Sequence, residues 1–179
     1  MKHETQHGAL LAQLREEFDR EFGRPARALT TEHVEFLGFR AGGGTYAVDL
    51  GDVSIVHEIR HVTRVPSAHR GFEGLVTVLD DLVAVYDLAA LLVGAKSDSA
   101  RRWLLVSRKD GQVGFAVQAV DGYLRTPRSK IVSQKGRSGR GDFLGDAIDE
   151  EEGLRRIVDF GALIADIRAT VGGEGRSAR

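Results

Sequence analysis

Residues 72–92 read FEGLVTVLDDLVAVYDLAALL, an apolar run interrupted by an aspartate pair and a third aspartate six residues later. As one helix, this run would have to bury Asp80 and Asp81 inside a cylinder that is apolar all round. That costs several kcal/mol (~2–7 for an unpaired polar group) unless both find partners. Two strands, 74–79 and 82–86, instead set the aspartates in a two-residue turn, where Asp is favoured and solvated. The enrichment in Val and Leu agrees with strands. Asp87 then caps a short helix, LAALL, by accepting backbone N–H bonds at its start. The stretch therefore reads strand, turn, strand, short helix.

The same plan extends in both directions. Upstream, VEFLGFR (34–40), the glycine turn AGGG and TYAVDL (45–50) form a hairpin, since glycine takes the positive φ values that a tight turn demands. GDVSIVHEI (51–59) fits a short helix or a strand, and HVTRVP (61–66) is extended up to its proline. Downstream of the polar stretch GAKSDSAR come strands at 102–108, 113–120 and 123–127, with turns at KDGQ and DG. A long loop follows, then strands at 142–148 and 154–160, and a helix at 161–171.

Two pairs of segments match in letters as well as in order. YAVDL at Tyr46 resembles FAVQA at Phe115, and VYDLAALL (85–92) resembles IVDFGALI (157–164). The chain thus carries two halves of one design, 34–93 and 102–171. Short strands at regular spacing with turn signals indicate an all-β fold of two small barrels side by side, about five strands each.

Residues 1–33 stand apart as helix and connector. Leu10, Leu14, Phe18 and Phe22 recur every four residues while charged side chains cover the opposite face, the pattern of an amphipathic helix over 5–23. That stripe either packs on its own domain or enters a partner's groove. The tail 172–179, GGEGRSAR, has the composition of a disordered segment.

Composition narrows the function classes. The chain has 179 residues, a formal net charge of -1 and no cysteine. There is no global field for nucleic acid or anionic membranes, no disulfide and no thiolate metal site. The N-terminus lacks a signal-peptide pattern and no apolar run is long enough to span a bilayer, so a cytoplasmic protein is expected. His57 and His61 have i,i+4 spacing but no obvious third ligand, and no metal site or cofactor is expected. The run Asp146, Asp149, Glu150, Glu151, Glu152 reads as a solvated hairpin tip rather than a calcium loop. No phosphate-binding glycine loop or nucleophile elbow occurs, and no catalytic residue is assigned. The loop 125–140 holds Arg125, Arg128, Lys130, Lys135, Arg137 and Arg140. It supports an alternative reading as a single-stranded nucleic-acid-binding barrel, with Tyr123 and Phe143 as nearby aromatics.

Taken together, TYAVDLGDVSIV, RVPSAHRGFEGLVTVLDDLVAVYDLAALL, WLLVSRKDGQVGFAVQAVDGYLRTP and RRIVDFGALI resemble the chemotaxis coupling proteins, the CheW-like family, from about Val34 to Ile167. The resemblance implies a pair of five-stranded SH3-like barrels without enzymatic activity. It implies an adaptor or scaffold linking a chemoreceptor's cytoplasmic tip to the regulatory domain of a CheA-type histidine kinase, with other CheW-like proteins as further partners and no nucleic acid. Val53, Ile55, Gly74, Thr77, Leu79 and Asp80 would then be partner-binding. Two of these depart from the family pattern. The family's acidic position is Ile55 here, and the basic position of its N-L-R-G stretch is Leu79. Losing both charges together is self-consistent, because two apolar groups can pack where one stranded charge could not. The expectation is an adaptor with an altered receptor-facing surface.

Overall fold

The computed structural model describes residues 32–94, 102–133 and 143–174. Residues 33–179 form one compact unit. The expected N-terminal helix with Leu10, Leu14, Phe18 and Phe22, the cations Lys135, Arg137 and Arg140, and residues 175–179 lie outside the described residues.

Eleven strands are described: β1 (His33–Ala41), β2 (Gly44–Asp49), β3 (Val53–Glu58), β4 (Phe72–Val78), β5 (Asp81–Asp87), β6 (Trp103–Ser107), β7 (Val113–Val117), β8 (Ala119–Pro127), β9 (Ile131–Val132), β10 (Leu144–Glu150) and β11 (Gly153–Val158). Two helices, α1 (Leu88–Val93) and α2 (Phe160–Glu174), each follow the last strand of a half. Asp87 accepts from the Ala89 N–H and Asp159 from the Ala162 N–H, both at 3.0 Å, which are the helix caps that the repeated aspartates predict.

The strands make two sheets, in the orders β8-β1-β2-β11-β10-β9 (barrel A) and β3-β6-β7-β5-β4 (barrel B). The fold is therefore the expected pair of small SH3-like barrels, with the two-residue β9 as a sixth strand in barrel A. Neither sheet is built from one half of the sequence. Each takes the first hairpin of one half and the remaining strands of the other, four in barrel A and three in barrel B. The exchange is held by two parallel pairings, β2 with β11 and β5 with β7. The repeat extends to detail: Phe72 faces Tyr86 and Leu144 faces Val158, each just before a register shift.

Strand alternation sorts the core into three parts. Val78, Val83, Val85, Leu104, Val106 and Ala116 fill barrel B. Phe36, Ala47 and Ile148 fill barrel A. The largest cluster lies on the opposite faces of both sheets, where Phe39, Phe115, Phe160 and Leu163 are fully buried and both helices contribute. Phe115 and Phe160 pack at 4.5 Å between ring centroids. β7 is buried at every position because one face lines barrel B and the other this seam.

Four readings of the sequence change. The β4–β5 turn is Leu79–Asp80, with Asp81 already paired to Val78. A one-residue slip would turn Val83 and Val85 out of the barrel, so burial sets the register. Residues 51–59 begin in a 3-10 turn, Leu50–Asp52, and continue as β3, which leaves His57 and His61 without a shared helix. The Asp121-Gly122 pair is a bulge inside β8 rather than a turn, since Gly38 pairs with Gly122 and Phe39 with Val120. Finally, α2 runs three residues past the expected end to Glu174, into the stretch read as tail.

Candidate partner-binding surface

The six residues expected to bind partners all belong to barrel B, and burial separates them. Leu79 and Asp80 occupy the tip of the β4–β5 hairpin, with φ values of 49° and 72°. These are left-handed conformations that a side chain such as leucine rarely takes. Leu79 is 77% exposed, and Leu82, where the hairpin returns, is 58% exposed. Thr77 is exposed on the same hairpin. Ile55, half-buried, packs against the core of barrel B. Leu79 does not join it there, so the two positions do not replace a charge pair by an apolar pair. One has entered the core and the other has become a bare apolar knob.

Val53 and Gly74 lie inside the domain. Val53 is 6% exposed in the seam, and its carbonyl accepts from Arg108 Nη2 at 3.0 Å. Gly74 is buried with φ at 141°, where a Cβ would collide with the carbonyl oxygen of Thr63. Thr63 pairs with Leu75 through 2.9 Å hydrogen bonds in both directions. Gly74 thus permits the chain after β3 to close barrel B against β4.

Beside this hairpin a shallow cleft of about 400 Å³ is lined by His57, His61, Thr63, Thr77 and Leu82. A larger cleft of about 710 Å³ opens at the end of barrel A, with Val34, Phe36 and Ile157 on its floor and Asp49, Asp52, Asp146 and Asp159 around it. Lys109 enters it and donates to Asp52 Oδ2 at 3.0 Å. That bond first, helped by the fields of Asp52, Asp159 and Asp49, raises the ammonium pKa against the opposing effect of burial. Asp49 and Asp159 also hold backbone N–H groups. Among the described residues no three His, Asp or Glu side chains converge to hold a metal ion, and no helix is long and apolar enough to cross a membrane.

The aromatics beside the basic loop are otherwise engaged. Tyr123 donates to Glu35 Oε1 at 2.7 Å, and Phe143 is buried in the seam.

Reading the sequence missed the ionic centre of barrel A. Arg155 donates to Glu150 Oε1 at 2.8 Å, to Asp121 Oδ2 at 2.9 Å and to the Tyr46 carbonyl at 3.3 Å. Arg40 donates to the other Asp121 oxygen at 2.8 Å. The signal was present as consecutive arginines in an apolar strand, which must point to opposite faces. Their partners are distant in sequence.

Comparison with known proteins places the whole two-barrel body. A model of the CheW-like domain matches residues 35–168. The chemotaxis protein CheW of Thermotoga maritima is 29% identical over 101 residues, covering 56% of this chain and 67% of that protein. The crystal structure of the scaffolding protein TtCheW from Thermoanaerobacter tengcongensis superposes with a TM-score of 0.63 at 18% identity, over 71% of this chain and 89% of that one. At that identity the likeness speaks for the fold.

Proposed function

The chain belongs to the CheW-like domain family, and we propose that it is a non-enzymatic chemosensory adaptor that couples a chemoreceptor's cytoplasmic tip to the regulatory domain of a CheA-type histidine kinase. The observation that carries this reading is the family match across residues 35–168, which spans strands of both barrels. The coupling is conformational: surfaces of a rigid barrel pair dock on partners, and no bond is made or broken.

The receptor-facing surface is altered. The exposed Leu79 supports this, standing at a strained hairpin tip where the family places a basic residue. Titration of the kinase regulatory domain and of a receptor tip peptide, with and without residues 1–33, tests the adaptor role. Saturable binding by the truncated chain assigns it to the barrels. Binding that requires residues 1–33 moves the contact to Leu10, Leu14, Phe18 and Phe22, and no binding in either form rejects the adaptor reading. Ile55→Glu with Leu79→Arg should shift receptor binding more than kinase binding; equal shifts would refute the altered surface.

A further inference from the structure

Arg155 and Arg156 of β11 leave opposite faces of the strand, and only the first meets carboxylates among the described residues. Arg155 turns into barrel A and meets two carboxylates. Arg156 turns to the outer face shared with Leu154. Among the described residues Arg156 has no carboxylate partner, and its Nε is buried without a hydrogen-bond acceptor. A buried N–H without an acceptor is costly, and the positive charge of the same guanidinium meets no carboxylate among the described residues.

The surroundings say what would supply it. Leu154 is 52% exposed. Asp149, opposite Leu154 across the ladder, is exposed, as are the tip residues Glu151 and Glu152. No ion pair among the described residues uses these three carboxylates. From the body of the sheet toward the tip, the hairpin therefore presents an unpaired cation, an apolar side chain and unpaired acids. Arg156 stands two residues along β11 from Leu154, about 6.6 Å, and Glu152 lies on its other side, in the turn that precedes the strand. Reversed end to end, such a pattern matches itself.

We propose that the β10–β11 hairpin is a self-recognition surface, on which two copies of this chain meet about a two-fold axis through Leu154. Arg156 of each copy faces the tip carboxylates Glu152 and Asp149 of the other, and the two Leu154 side chains touch. A two-fold interface requires this kind of self-complementary patch. The equivalent hairpin of barrel B supplies a contrast. It keeps the apolar centre as Leu82 and the acid as Asp80, but has Ala84 in place of Arg156, so no charge pair forms there. A patch of a few side chains belongs to the small, transient class of interfaces, and association is weak and salt-sensitive.

Sedimentation of the full chain over a concentration series tests this without any other partner, so it stands or falls separately from the adaptor reading. The wild type should self-associate reversibly at low salt. Arg156→Glu and Glu152→Arg should each raise the dimer dissociation constant about tenfold or more, as like charges meet. An equimolar mixture of the two variants should associate as the wild type does, because in the mixed dimer one contact keeps its native charge pair and the other re-forms with its signs exchanged. Leu154→Ser should weaken association without a charge change. Thermal melts check folding, and if a reversal fails to fold, Arg156→Gln and Leu154→Ser carry the test with the same expected weakening. A chain that stays monomeric, a dimer indifferent to these substitutions, or a mixture that fails to restore association would overturn the proposal.

Discussion

Arg155 reaches from β11 to Asp121, the bulged residue of β8, at 2.9 Å. Both side chains are largely buried, at 11% and 18% exposure. The contact joins strands that do not neighbour each other in the sheet, and Gly38 on β1, one of the two strands between, leaves room for the guanidinium. Arg155→Ala removes the Glu150 contact and leaves Asp121 with Arg40 alone, and should cost about 1.5–3 kcal/mol, the range for charged hydrogen bonds. Arg155→Met with Asp121→Asn should recover part of the loss, because the Asp121 carboxylate no longer loses its buried partner and the charges left over, Glu150 and Arg40, are the more exposed ones. Urea unfolding of the three proteins at neutral pH measures both effects.

Asp121 also sets an acid limit. Burial raises its pKa, but the hydrogen bonds from Arg155 and Arg40 outweigh burial and hold it below the usual carboxylate value. A depressed folded-state pKa contributes stability that is present above the unfolded value, about 3.9, and lost as pH falls through the folded one. The stability gap between wild type and Asp121→Asn should thus be constant from neutral pH to about 5 and shrink below about 4. A gap independent of pH down to full acid unfolding would contradict the ion pairing.

Gly74→Ala places a Cβ against the Thr63 carbonyl in a conformation that alanine avoids. Stability should fall by at least about 2 kcal/mol. Any loss of partner binding in this variant should track its unfolded fraction, since Gly74 is buried. Binding lost by a fully folded Gly74→Ala protein, judged by its melt, would show that the position acts directly in recognition.

Leu79→Asn should act in the opposite sense on the fold. Asparagine tolerates positive φ at a hairpin tip, so stability should rise by about 1 kcal/mol. If the apolar knob serves recognition, the same variant should lose affinity for the receptor tip. Stability and affinity moving apart would mark Leu79 as strain retained for binding.

Because each barrel takes strands from both halves, the halves should not fold separately. Fragments 1–97 and 98–179 should each lack cooperative melting and regain it on mixing, read by far-UV circular dichroism. A fragment that melts cooperatively alone would contradict the exchanged topology.

Strand alternation, glycine and aspartate turn signals and the two capping aspartates were enough to read most strands, both described helices and the all-β class. Each of these is a local preference, expressed within a few residues of its cause. The β4–β5 turn was misplaced by one residue because Asp80-Asp81 is the better turn by composition, whereas the burial of Val83 and Val85 demands Leu79–Asp80. The DG pair was misread for a related reason: a bulge and a turn share the same residue chemistry, and only the pairing partner distinguishes them.

Of the candidate site, the exposed tip was legible as an unusual position through Leu79, but the sequence could not tell that Ile55 enters the core or that Gly74 is walled in by Thr63. Long-range placement alone could do so. The duplicated halves were visible in matching letters, yet the exchange of strands between them depends on parallel pairings of Tyr46 with Arg156 and Tyr86 with Phe115 across wide sequence separations. The two arginines of β11 are likewise equivalent as letters. Among the described residues one gained three acceptors and the other none, because the strand's two faces look onto different surroundings, and those surroundings exist only once both barrels have closed.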